Sequence, residues 1–210
     1  MRDCVSETRQ WHALNAVLMF GLISLTAVSI GLKGERIDSP TVAAGLYWTV
    51  EFFTAMSALS RSFVREEDSR TGTALRLTAP PAAVYLGKLA FNLALILVLN
   101  LLLAPGFLLL VNRTLKSGVL LAVTSLVGAF SLAAASTILG AMAARAGSRS
   151  ALFAVLAFPV LLPILVPAIH ATAVAFGAPG AAGDDLRFIT SYGMMCIVSA
   201  LMLFPYVWWA

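Results

Sequence analysis

Long apolar runs constrain this chain more than any other feature, because each is about as long as a lipid bilayer is thick. A membrane-spanning helix needs about 20 mostly apolar residues at a rise of about 1.5 Å each. Six segments meet this length and predict helices at about residues 13–32, 42–60, 83–111, 118–144, 151–176 and 188–209. In lipid, every backbone N–H and C=O group must form a hydrogen bond within the protein, which helices and closed β-barrels achieve. Uninterrupted apolar runs favour helices, because barrel strands alternate between apolar and polar residues.

The composition agrees with an integral membrane protein. Of the 210 residues, 60% are hydrophobic and 11% are charged, whereas a soluble domain has about 45–50% and about 25%. The net charge of +4 is spread over short connections and forms no basic stripe, so nucleic acid is not an expected partner. We therefore predict an all-α bundle of six transmembrane helices that forms one polytopic domain over residues 1–210 and contacts membrane lipid.

The basic residues predict the orientation of this bundle. If the connections alternate between the two sides, nine Lys and Arg residues fall on one side and five on the other. Membrane proteins keep the more basic connections in the cytoplasm. The N- and C-termini are therefore both expected on the cytoplasmic side.

The most polar stretch follows the second predicted span on the cytoplasmic side, at residues 61–72. Glu66 and Arg70 are four residues apart, a spacing that stabilises a helix by a few tenths of a kcal/mol, and Gly72 would end that helix. The pattern predicts a short helix on the membrane surface between helices 2 and 3, where a partner could bind. The alternative is a solvated loop that is charged because of topology alone.

Glu51 lies near the middle of the second span, where a bare carboxylate costs several kcal/mol. It faces a polar cavity, pairs with a basic group or carries a proton, and the sequence leaves these alternatives open. A role in contacting substrate or protons makes Glu51 a candidate pathway residue.

Three prolines in the fifth span, Pro159, Pro163 and Pro167, recur every four residues and therefore share one face. Each removes a backbone donor and frees a carbonyl one turn earlier. They predict either a bend in the wall of a pathway, a fixed packing kink or a re-entrant segment. His170 follows them and is a further pathway candidate, although a single His is poor support for haem ligation.

Small residues recur at the same spacing in the fourth span, at Ser136, Gly140 and Ala144. Such a spacing lets two helix backbones approach closely. It predicts helix packing, either within the bundle or between two copies in a homodimer.

Enzyme and cofactor motifs are largely missing from the sequence. Cys4 and Cys196 are far apart and form no metal-ligand pattern. Gly87-Lys88 lacks the rest of a phosphate-binding loop. We predict no catalytic, metal-binding or cofactor-binding residues, so that any ATP hydrolysis belongs to a separate subunit.

Several short motifs, in order along the chain, resemble the CcmB family. They are Gly45-Leu46-Tyr47-Trp48, the run from Leu59 to Glu67, Gly72-Thr73, Pro80, Tyr85-Leu86-Gly87-Lys88-Leu89, Phe158-Pro159 with Leu162-Pro163 and Pro167, and Leu203-Phe204-Pro205-Tyr206-Val207. CcmB proteins are the membrane permease subunit of the haem exporter used in bacterial cytochrome c maturation. Glu51 departs from the resemblance, because that position is ordinarily apolar in the family.

The resemblance implies a type-2 ABC exporter permease in the bacterial inner membrane, with haem as the transported or handled substrate. It implies three partners: an ATP-binding subunit (CcmA-like), a haem-handling membrane protein (CcmC-like) and a small membrane component. The polar stretch would then be the coupling helix that contacts the ATPase. The coupling residues are expected to be Arg61, Phe63, Arg65, Glu66, Glu67, Arg70 and Gly72.

Two other functions fit the same sequence. One is a type-2 ABC permease for another substrate, such as a lipid or a drug. The other is a membrane scaffold that positions assembly partners and transports nothing.

Overall fold

The computed structural model describes the backbone of residues 2–33, 37–68, 80–111, 115–145 and 149–209, and side chains over 15–33, 37–57, 80–111, 115–140, 157–204 and 206. These parts of the chain contain six helices and no strand. The helices are α1 (Arg2–Gly31), α2 (Pro40–Asp68), α3 (Pro81–Leu110), α4 (Gly118–Arg145), α5 (Arg149–Ala175) and α6 (Gly183–Trp209).

Local sequence signals account for several helix ends. Ser39 and Ser117 cap α2 and α4, because each side-chain oxygen accepts a bond from a backbone N–H three residues later, at 3.4 Å from Val42 and 3.2 Å from Leu120. These otherwise unpaired N–H groups are the ones that N-cap residues satisfy. Gly177, with a φ of 108°, follows the end of α5, where a left-handed residue is usually glycine.

Helix α2 is longer than the span predicted from hydropathy, which ends at Ser60. It continues without interruption to Asp68, so the backbone of residues 61–68 belongs to α2 and does not start a separate helix. Arg and Glu are good helix formers, and a helix need not end where its apolar run ends. Arg70 and Gly72, the last two predicted coupling residues, lie outside the described residues.

Four helices are long and apolar enough to cross a membrane within the described ranges. They contain Pro81–Leu110, Gly118–Gly140, Ala157–Ala175 and Gly183–Phe204, and α1 adds a shorter apolar stretch, Asn15–Gly31. Large apolar side chains cover the outside of the bundle, with Leu109 81% and Val119 77% exposed. An apolar exterior of this kind fits a lipid environment.

Helix α4 is at the centre of the bundle. It packs against α2, α3, α5 and α6, and its residues 131–137 are all buried. Small side chains fill much of this stretch, which lets four neighbours surround one helix. Ser136 and Gly140, predicted to mediate packing, are buried inside the bundle, whereas the side chain of Ala144 lies outside the described residues.

Several connections meet at one end of the bundle. The Ser29 hydroxyl donates to the Leu110 carbonyl at 2.9 Å, and the backbone N–H groups of Lys116 and Ser117 both donate to the Ala175 carbonyl. The end of α1, the connection from α3 to α4 and the end of α5 therefore lie together. We call the other end, where α2 finishes and α3 begins, the charged end.

Candidate functional site

One face of α2 is polar although the helix runs through the interior. Tyr47, Glu51 and Thr54 are separated by four and three residues, so they project from the same side of the helix. Their side chains are 2%, 1% and 0% exposed. Buried polar groups within a membrane bundle face other polar groups or a water-filled space.

Tyr47 links this face to two other helices. Its O–H donates to Oδ1 of Asn100 on α3 at 2.9 Å, and its oxygen accepts from the Ser125 hydroxyl on α4 at 3.0 Å. Its ring also packs edge-on against Phe107 of α3 at 5.5 Å between centroids. The phenol therefore holds α2, α3 and α4 together around one buried point.

Glu51, one turn after Tyr47, lacks such partners. Neither carboxylate oxygen has a hydrogen-bond partner, and the same is true of Thr54 Oγ1 and Asn100 Nδ2. Burying a polar group without a partner costs roughly 1–3 kcal/mol, and a charged one costs more. We call Tyr47, Glu51, Thr54, Asn100 and Ser125 the polar cluster.

A second buried polar pair lies between the cluster and the charged end. Asn92 of α3 donates through Nδ2 to the hydroxyl of Thr137 on α4 at 2.9 Å, while its Oδ1 has no partner. Asn92 precedes Asn100 by eight residues, or about 12 Å along the helix. Both asparagines belong to the buried side of α3.

Next to Tyr47, Trp48 anchors α2 to α4 and α5. Its indole N–H donates to the hydroxyl of Thr172 on α5 at 2.8 Å. Its ring lies over Gly128 of α4 so closely that a Cβ at that position would overlap the ring. Glycine is therefore required at position 128 as long as the indole occupies this site.

The predicted pathway residues do not form one group. Glu51 belongs to the polar cluster. Pro163 and Pro167 are half-buried and Pro159 is exposed, while the buried positions of α5 lie on its other faces. Helix α5 continues through all three prolines, so this segment is not re-entrant.

His170 lies on the exposed surface, apart from the polar cluster. Its Nδ1 is 2.6 Å from Oδ2 of Asp185, near the start of α6, and its side chain is 54% exposed. The pair joins the end of α5 to the start of α6. His170 therefore lies outside the polar cluster, and its role in a pathway stays a prediction.

The predicted coupling residues can be placed only by their backbone. Arg61, Phe63, Arg65, Glu66 and Glu67 belong to the last two turns of α2, and their side chains lie outside the described residues. They lie on the same continuous helix as Tyr47, Glu51 and Thr54 of the polar cluster. No side-chain contact follows from this placement.

Sequence reasoning missed Asn92, Asn100 and Ser125. A signal for the asparagines was present, since amides separated by eight residues in a strongly apolar helix fall on one face. Ser125 carried no such signal, because serine is common in membrane helices and can bond its own backbone.

The described residues contain no group of three or more His, Cys, Asp or Glu side chains that could hold a metal ion. Comparison with known protein families gives one match: a family described as "CcmB protein" matches residues 1–208. The chain belongs to the CcmB family. No curated protein and no solved structure matches the chain.

Membership of the CcmB family confirms the resemblance seen in the sequence motifs. CcmB proteins are ABC permease subunits of haem export in cytochrome c maturation. The apolar exterior and the four long apolar helices agree with a multi-pass membrane protein of this family.

Proposed function

We propose that this chain is the bacterial inner-membrane subunit through which a separate ATP-binding subunit drives haem export or delivery during cytochrome c maturation. The observation that carries this proposal is the match to the CcmB family over residues 1–208. The chain itself performs no catalysis. A haem-handling membrane protein and a small membrane component complete the proposed complex.

The continuity of α2 supports a route for coupling. This helix runs from Pro40 to Asp68 without a break, and it carries Glu51 in the bundle interior. The distance from Glu51 to Asp68 is about 25 Å along the helix. If the ATPase displaced the charged end of α2, the movement would reach Glu51 directly, because Glu51 lies on the same helix.

Coupling of this kind requires two packings of the bundle whose balance depends on nucleotide. The packing interface that α2 and α3 form with their neighbours is suited to such a change, because the unpartnered buried polar atoms of the described residues all belong to these two helices. In the proposed cycle, closure of the ATPase dimer displaces the end of α2 and alters this interface. The residues that would contact the ATPase are Arg61, Phe63, Arg65, Glu66, Glu67, Arg70 and Gly72.

The coupling proposal can be tested by purification of the membrane complex. An ATP-binding subunit should co-purify with this chain, and the double substitution Glu66→Ala/Glu67→Ala should change the ATPase rate of the complex. The matched control is Asp184→Ala/Asp185→Ala, which removes two acidic groups at the start of α6. An unchanged rate with Glu66→Ala/Glu67→Ala would place coupling elsewhere.

The proposed substrate is tested in a strain that lacks this chain. Cytochrome c content should fall in that strain and recover when the chain is supplied. Recovery with a partner subunit that cannot hydrolyse ATP would indicate a scaffold. A strain with normal cytochrome c content would indicate a permease for another substrate.

A further inference from the structure

Glu51 is unusual among the charged side chains of this protein. Within the described part of the chain it is the only acidic or basic side chain that is buried, and it is 1% exposed. It lies midway along the apolar span predicted at 42–60, about 14 Å from either end. In a bilayer core of about 30 Å, the carboxyl is therefore close to the middle of the membrane.

Neither oxygen of this carboxyl has a hydrogen-bond partner. The Tyr47 hydroxyl, one turn earlier on the same helix, is already bonded to Asn100 and to Ser125. A carboxylate that leaves water needs a cation or several hydrogen-bond donors to remain ionised, because burial disfavours the charged form of the group. Glu51 has neither donors nor a bonded cation in this packing.

Four helices pack against α2, namely α1, α3, α4 and α5. Within these helices the described titratable side chains are Tyr85 and Lys88 on α3 and His170 on α5, and Lys33 directly follows α1. None of them bonds Glu51. Lys33 and His170 are near the end where the connections meet, and the described part of α4 contributes no titratable group.

Lys88, on the neighbouring helix α3, lies on the charged-end side of Glu51. Because α2 and α3 run in opposite directions and Tyr47 contacts Asn100, the two helices are level at that contact. Lys88 is about 18 Å from Asn100 along α3, and Glu51 is about 6 Å from Tyr47 in the same direction along α2. About 12 Å along the bundle therefore separates the two backbone positions, and no hydrogen bond joins Lys88 to Glu51.

Helix α1 covers the polar face of α2 one turn beyond Glu51. Thr54 lies three residues after Glu51, and a Cβ added at Gly21 of α1 would be 3.2 Å from Thr54 Cγ2 and 2.9 Å from Leu103 Cδ2 of α3. The three helices therefore meet at Gly21 as closely as a glycine allows. A larger residue at position 21 would push α1 away from α2 and α3.

We propose that Glu51 is a proton-binding site inside the membrane, occupied by a proton in this packing and emptied when α1, α2 and α3 separate around Gly21. In the closed packing the carboxyl is neutral, so no unpaired charge is buried. When the packing opens, water reaches the carboxyl and accepts its proton, and the remaining carboxylate is solvated. A higher pH therefore favours the open packing. The proposal does not depend on haem or on an ATPase partner.

Infrared spectroscopy of the full chain distinguishes the two forms of the carboxyl. Only a neutral carboxyl gives a C=O stretching band at higher frequency than the amide bands of a protein. The chain is purified in dodecyl maltoside, a detergent without a carbonyl group, at about pH 7.5, where exposed Asp and Glu side chains are ionised. The band should be present in the unchanged chain and lost in Glu51→Gln. The control is Asp184→Asn, which removes an acid whose side chain is 98% exposed and should leave the band intact.

A second measurement links the proton to the helix packing. The pH is raised until the band disappears, and the midpoint of this loss is compared between variants. Gly21→Val places a branched side chain against Thr54 and Leu103, so it should lower the midpoint by about one pH unit, a tenfold loss in proton affinity, and Gly21→Ala should lower it less. Gly31→Val is the control on the same helix, because nothing lies within 4 Å of a Cβ there, and it should leave the midpoint unchanged.

Two results would overturn the proposal. If the unchanged chain shows no neutral-carboxyl band at about pH 7.5, or if the band persists in Glu51→Gln, Glu51 does not hold a proton in this packing. If Gly21→Val and Gly21→Ala both keep the midpoint of the unchanged chain, release of the proton is not linked to the contact of α1 with α2 and α3. Neither result bears on whether an ATPase co-purifies, so this proposal and the proposed function fail separately.

Discussion

The two halves of this bundle differ in how completely their buried polar groups are hydrogen-bonded. Among α4, α5 and α6, the polar groups have partners: Ser131 of α4 donates to the Ile189 carbonyl of α6 at 2.8 Å, and Tyr192 of α6 donates to the Val160 carbonyl of α5 at 2.8 Å. On α2, Glu51 and Thr54 have none. The same chain therefore contains one set of helices whose polar groups are paired and one helix whose polar groups are incompletely paired.

Helices α4 and α6 also approach each other closely. A Cβ at Gly193 of α6 would overlap Ser131 of α4, so these helices are as close as a glycine allows. Close contact and complete hydrogen bonding favour a single packing. We infer that α4, α5 and α6 form a fixed frame to which Trp48 anchors one side of α2, and that α3 and the polar face of α2 are able to change their packing.

The largest effect is expected from Gly128→Val, which places a branched side chain inside the Trp48 ring. Overpacking of a core typically costs about 1–3 kcal/mol, and occasionally more, and we expect the upper part of this range or beyond. The measurement is thermal stability of the detergent-solubilised chain, followed by size-exclusion chromatography. Gly87→Val is the control, because nothing lies within 4 Å of a Cβ there, and equal stability of the two variants would contradict the tight fit of Trp48 against α4.

An intermediate effect is expected from Glu51→Met, which replaces an unpartnered buried carboxyl with an apolar side chain of similar length. Removing such a group should raise the free energy of unfolding by about 1–3 kcal/mol. Cytochrome c maturation should fall at the same time, since the substitution removes a polar group from the interface proposed to move. Glu51→Gln, which keeps polarity, should change stability less, and a loss of stability with Glu51→Met would reveal a stabilising role for the carboxyl.

The smallest effect is expected from His170→Ala at the exposed surface. Surface pairs of this type contribute about 0–1 kcal/mol, and the His170–Asp185 contact lies at the surface with the imidazole 54% exposed. Stability and cytochrome c content should both remain close to those of the unchanged chain. A large loss of function with intact stability would return His170 to the pathway.

The helices could be predicted because the length of an apolar run depends only on consecutive residues in the sequence. Each predicted span falls largely within an observed helix, but hydropathy could not reveal that α2 continues to Asp68. Helical hydrogen bonding persists in charged segments, whereas hydropathy records only where a segment can enter lipid. The predicted boundary at Ser60 therefore marks the end of the apolar run and not the end of the helix.

The polar cluster was only partly predictable, because it depends on which faces meet. The sequence marked Glu51 as unusual, but its neighbours come from helices about 50 and 75 residues further along the chain. The spacing of Pro159, Pro163 and Pro167 showed that they share a face, and only the packing reveals that this face is exposed at Pro159 and half-buried at the other two. Periodicity shows which residues share one face of a helix. Which other helix packs against that face is known only from the folded bundle.

The fit of the Trp48 indole over Gly128 has a consequence for how this protein can diverge. The ring occupies the volume that any larger residue at position 128 would need. A substitution at position 128 becomes tolerable only after the indole has been lost, and loss of the indole alone leaves a cavity. We therefore expect that related proteins in which one of the two positions varies also vary at the other.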